Sequence, residues 1–162
     1  MIISVVEALV AQLDVDGVKF GFNHGPSHWQ NLELDEYNFG YYDFSGEKAI
    51  AYLDQPITND YQLTAGGYIG EFYPVDILFM YKSEFDWTPQ QHEANCIDPA
   101  NNAIRQFISI CQSRTDLVFE ILNPTALEFT NLRNVNVSGK SLSIRIKPVI
   151  NKAVCVPPIP TP

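Results

Sequence analysis

The chain has 162 residues, 46% of them hydrophobic and 18% charged, which excludes wholesale disorder and fits one domain with a real core. Its net charge of −9 reflects 19 acids against 10 bases, too few cations to clamp nucleic acid or an anionic membrane. The charge is divided along the chain: residues 1–100 carry 16 acids and 3 bases, a balance of −13, and residues 101–162 carry 3 acids and 7 bases, a balance of +4.

Met1–Glu7 lacks a basic leader and does not read as a signal peptide. Ile2, Val5, Val6, Leu9, Val10 and Leu13 recur at helical spacing and predict an amphipathic helix over 2–13. Asp14-Val15-Asp16-Gly17 closes it, with Gly17 able to take a left-handed turn. Val18–Phe22 alternates as a short strand, and His24-Gly25-Pro26-Ser27-His28-Trp29 reads as a loop. Lys48–Leu53 predicts another strand, and residues 57–70, with Gly66-Gly67, read as a loop.

Tyr68–Phe85 is the longest predicted strand, with Val75, Ile77, Phe79 and Tyr81 on one face and Asp76, Leu78, Met80 and Lys82 on the other. Pro74 inside it suggests a bulge or an edge position. Thr88-Pro89-Gln90-Gln91 is a helix start, with a capping hydroxyl, a first-position proline and a glutamine three residues after the cap. Asp98-Pro99 repeats the signal, so a break and restart is expected there, with the main helix at about 99–113. Its stripe is Ile104, Phe107, Ile108 and Cys111.

Leu117–Leu122 predicts a strand and Asn123-Pro124 a turn. Leu127–Val137 and Leu142–Val149 read as two strands joined by a Ser138-Gly139-Lys140 hairpin loop. In the last strand Leu142, Ile144 and Ile146 alternate with Ser143, Arg145 and Lys147, so one face is wet or paired with acids. Four prolines in residues 153–162 favour an extended arm over a helix. Val154, Val156 and Ile159 make it more apolar than a frayed tail, as an arm docking on a neighbour would be.

The expected fold class is α+β. An antiparallel sheet carries the N-terminal and central helices on one face and ends in a terminal β-hairpin. One domain covers 1–150, with a loop-rich aromatic insertion at 23–47, and the proline-rich arm follows at 151–162.

No nucleophile elbow, phosphate loop, dinucleotide fingerprint, zinc-protease motif or calcium loop is present. His24 and His28 have metal-ligand spacing for a helix, but Gly25 and Pro26 lie between them. Cys96, Cys111 and Cys155 are an odd set without close pairing and read as free thiols in a reducing compartment. A catalytic pairing of a cysteine with His92 has only nearness in sequence behind it. Glu33, Asp35 and Glu36 beside Trp29 have the composition of a carbohydrate-binding cleft, and paired carboxylates can serve glycoside hydrolysis.

Of 20 aromatic residues, 17 lie between Phe20 and Trp87, more than one core absorbs. Tyrosine is an amphipathic contact residue, so an assembly surface is the favoured reading of Trp29, Tyr37, Phe39, Tyr41, Tyr42 and Phe44. Its counterpart is the basic back, Arg133, Lys140, Arg145 and Lys147, with the apolar arm residues Val154, Val156 and Ile159. A ligand-binding module built on 29–44 is the alternative.

The order of these elements resembles the tail-terminator, tail-completion and neck (head–tail connector) proteins of tailed bacteriophages. Ile2–Leu13 stands for the first helix, Tyr68–Phe85 for the long strand, Pro99–Ser113 for the second helix and Leu127–Val149 for the closing hairpin. The insertion and the arm exceed a minimal member. The resemblance implies a structural virion protein, not an enzyme, without metal or cofactor. It implies a homo-oligomeric ring, assembled in the host bacterial cytoplasm and built into the virion. Its neighbours would be portal, neck or tail proteins, DNA would pass through without specific binding, and no membrane would be involved. A dipolar chain suits such a head-to-tail ring, and an acidic lumen keeps DNA from sticking.

Overall fold

The structure, a computed structural model, describes residues 2–26, 47–55, 57–58, 60–64, 67–121, 126–130 and 136–148. It is a mixed α+β fold built on an eight-stranded sheet. Helix α1 spans Ile2–Val10, shorter than the expected 2–13, and buries Ile2, Val6, Leu9 and Val10 of the expected stripe, with Leu13 buried beyond its end. Strands β1 (Asp14–Val15) and β2 (Val18–Pro26) follow as a tight hairpin.

Asp16 and Gly17 both have positive φ, 53° and 80°, and Val15 pairs with Val18. Two such residues in succession make the turn whose twist matches a right-handed hairpin. Asp-Gly therefore closes a hairpin here rather than the helix. The Gly17 N–H donates to Asp14 Oδ1 at 2.9 Å. The sequence from His24 to Pro26 is also strand, not loop, because β2 runs on beside β3 (Ala49–Gln55).

That β2–β3 pairing is parallel and corrects the expectation of an antiparallel sheet. The other strand pairs are antiparallel, and the order across the sheet is β1-β2-β3-β5-β8-β6. Its axis is β5, Gly67–Lys82, 16 residues and about 53 Å at the usual strand rise. One edge of β5 pairs with β8 (Val137–Pro148) from Tyr73 to Lys82. The other edge pairs with β3 at Ile77–Tyr81 and then with β4 (Asp60–Thr64) at Gly67–Phe72. Strand β4 lies where a loop was expected. Pro74 falls in the interval between those two pairings, where its missing N–H costs no ladder bond.

The start of β5 therefore leaves the main sheet as a β4–β5 hairpin. A register shift at Gln62/Leu63 faces Gly70, whose φ of 147° few other residues adopt. The expected terminal hairpin exists, but its loop is not Ser138-Gly139-Lys140. Those residues lie inside β8, and the hairpin partner is β7, Leu127–Phe129. Gly139 is required by close approach: a Cβ there would lie 1.9 Å from the Phe79 carbonyl oxygen. β6 (Leu117–Ile121) and β7 follow each other along one edge of β8.

The capping box at Thr88 forms as its sequence predicts and starts α2, Pro89–His92. The chain then stays helical through a π turn, Glu93–Ile97, into α3, Asp98–Ser113, so no break occurs before Pro99. The Asp98 N–H bonds Glu93 O, and this wider turn absorbs the donor that Pro99 lacks.

Alternate residues of the strands, Ala49, Ala51, Leu53, Val75, Ile77, Phe79, Leu142, Ile144 and Ile146, share one core with α1 and α3. Phe79 is its centre, edge-on to Phe20 at 6.2 Å and to Phe107 at 5.6 Å. A smaller cluster of Ile50, Tyr52, Met80 and Val137 uses the intervening strand positions, with Leu78 and Phe129 packed on it. Gln106 ties α3 to β1 by two bonds to the Asp14 backbone, accepting from its N–H at 2.8 Å and donating to its carbonyl at 3.1 Å.

Candidate interaction surface

The strand positions that point away from the helices are divided: Ile50, Tyr52, Met80 and Val137 are buried there, and the part around Arg145 of β8 is polar. Arg145 of β8 stands opposite Pro74, and its guanidinium lies 4.2 Å from the Phe72 ring centroid. Glu120 of β6 reaches it at 3.4 Å and Asp60 of β4 at 3.8 Å. Its Nε is buried without a hydrogen-bond partner among the described residues, since Asp60 is too distant to accept well. The Lys147 ammonium is 5.2 Å from the same ring, and its stem occupies the space left open at Gly70. Ser143 donates to Asp76 on the same face. The alternation of β8 is thus answered by acids.

Lys140 sits elsewhere. It stands opposite Phe79, on the helix side, and pairs with Glu128 at 3.1 Å. Arg145 and Lys147 therefore form one cluster, and Lys140 does not join it. Trp29, Tyr37, Phe39, Tyr41, Tyr42, Phe44, Arg133, Val154, Val156 and Ile159 lie outside the described residues, as does the proposed cleft at 29–44. Sequence reasoning missed Asp60, Phe72 and Glu120. The alternation of Arg145 and Lys147 implied acidic partners, but only strand order says which ones.

A second polar feature lies on the helix side. His92, Ser138 and Ser83 are all buried. Ser138 Oγ lies 3.1 Å from both Ser83 Oγ and His92 Nδ1, so the two hydroxyls and the imidazole form one buried hydrogen-bonded chain. Trp87 packs edge-on to His92 at 5.6 Å. A groove of about 400 Å³ opens beside it, lined by Glu93 and Ile97 on the helical side and by Glu128 and Phe129 on the strand side. Nothing in the sequence linked Ser83 and Ser138 to His92, because the three meet only through β5–β8 pairing.

Among the described residues His92 does not engage a cysteine, and Cys155 lies outside them. The Cys96 thiol donates to the Lys82 carbonyl at 3.6 Å, and burial pushes its pKa up to about 11. Burial likewise pushes Cys111 up to about 12, against a small opposing pull from Arg114. Both thiols stay protonated at neutral pH, the opposite of an activated nucleophile. His24 lies on β2 against Phe22, with ring centroids 6.1 Å apart. Among the described residues no three His, Cys, Asp or Glu side chains are placed to hold a metal, and no helix is long and apolar enough to cross a membrane.

No protein-family model matches the chain, and no curated protein matches it in sequence. The functional reading therefore rests on the fold and its surfaces.

Proposed function

We propose that this chain is a structural assembly protein, a subunit of a homo-oligomeric ring at the head–tail junction or tail end of a tailed bacteriophage. The observation that carries the reading is the length of β5. Its last ten residues pair with β8, and the preceding residues pair with β4 as a hairpin on which Tyr61 is 62% exposed. A long strand that ends in a hairpin with an exposed aromatic supplies a contact element. With α1 and α3 on one face of the sheet, the charged surface around Arg145 on the other face and the hairpin are offered to neighbouring subunits. The acidic front and basic back supply complementary charge for a head-to-tail contact. In this reading the subunit is assembled in the host cytoplasm and meets portal, neck or tail proteins in the virion.

Mass photometry at low and high salt tests it. The expected result is one closed oligomer of fixed stoichiometry that loses subunits as salt rises, because exposed charges are screened. A strictly monomeric protein at high concentration in low salt would remove the reading.

A further inference from the structure

The sheet ends at β6, whose strand partner among the described residues is β8 alone. β7 continues the same edge. The outward backbone N–H and C=O groups of such an edge are a template for another strand, and edges meant to stay free are blunted by lysine, proline or a bulge. Leu117-Val118-Phe119-Glu120-Ile121 has no lysine and no proline, and its register with β8 is unbroken. Val118 is 45% exposed and Leu127 64% exposed, and both belong to this edge. The opposite side of the sheet is guarded differently: β2 carries Lys19 and ends in Pro26.

β8 stops at Pro148, paired with Leu117, the first residue of β6. The last described residue of β8 thus stands at the corner where this edge begins. The next eight residues, Val149-Ile150-Asn151-Lys152-Ala153-Val154-Cys155-Val156, hold four β-branched side chains and neither glycine nor proline. That composition favours a strand. Pro157-Pro158 follow, and proline cannot donate to a ladder, so an added strand would end at Val156. Lys152 offers a charge complement to Glu120.

We infer that residues 149–156 of one copy add as a strand to the β6 edge of a second copy. This rests on the ring reading and names the contact that closes it. Direction favours the second copy. β8 runs antiparallel to β6 and reaches the start of β6 at its own end, with Pro148 opposite Leu117. Return to its own outer edge would require a reversal across Arg114–Asp116, where the chain enters β6 from α3. A neighbour's edge requires none.

The test is amide hydrogen exchange of Leu117–Ile121 together with native mass, for the full chain and for the full-length Val154→Pro variant. Proline there removes a ladder donor and lies beyond the last strand of the domain. The expected result is an oligomer in which the outward amides of β6 exchange about tenfold or more slowly, and a variant that is monomeric with those amides released. An oligomer unchanged in mass and protection by Val154→Pro would overturn the strand exchange and leave the ring. Protection lost with the oligomer intact would place the arm on its own chain's edge and also overturn it. A monomeric full chain would overturn the ring reading and the exchange between copies together.

Discussion

Tyr81 ends the helix-facing row of β5 edge-on to Phe20 at 5.5 Å, and its hydroxyl is buried without a hydrogen-bond partner among the described residues. Burial, with Asp16 and Cys96 nearby, holds its pKa above the ordinary phenol range. A buried hydroxyl that bonds nothing costs free energy, and removing it keeps the ring packing. Tyr81→Phe should therefore leave the denaturation midpoint unchanged or raise stability by about 1 kcal/mol. A loss of that size would expose a hidden partner. The two core thiols set a pH limit. Their folded pKa values, about 11 and about 12, lie above the ordinary 9.0. The folded state thus holds protons that the unfolded state releases. Stability from this source is complete below about pH 9 and declines as pH rises towards 11 and 12. Chemical denaturation from pH 7 to 11 should show that decline, and Cys111→Ala should flatten it.

At the scale of elements, glycine chemistry separates what the sequence displayed from what it concealed. Ser138-Gly139-Lys140 has the composition of a hairpin loop, yet Gly139 lies within β8 because the Phe79 carbonyl leaves no room for a Cβ. Gly139→Ala forces two backbones apart and should cost about 2–3 kcal/mol, read as a fall in the urea midpoint. Local chemistry was legible wherever it decided structure locally. The apolar stripe of α1, the Thr88 capping box and the long alternating β5 each appear where their residues place them. The parallel β2–β3 pairing was not legible, because the alternation of a strand fixes its faces and not its neighbours. The Arg145–Phe72–Glu120 cluster was half legible for the same reason: β8 announced a charged face, and only the order of β4, β5, β8 and β6 supplied its partners.

For the whole molecule, the charge asymmetry of the sequence is partly spent within one chain. Asp60 of the acidic front and Arg145 of the basic back lie 3.8 Å apart on one sheet face. The sheet also has an order of completion. β5 meets β3 across a short separation, but its other edge waits for residues 137–146. During synthesis, the ten residues from Tyr73 to Lys82 are therefore an apolar strand with an open side until β8 emerges. A nascent chain at that stage is a strand template for its neighbours on the same message. A chain ending at residue 130 should accordingly be recovered as aggregate, whereas one ending at Pro148 stays soluble. For this fold, the hazard of premature termination lies between β7 and β8, well after most of the hydrophobic core has been made.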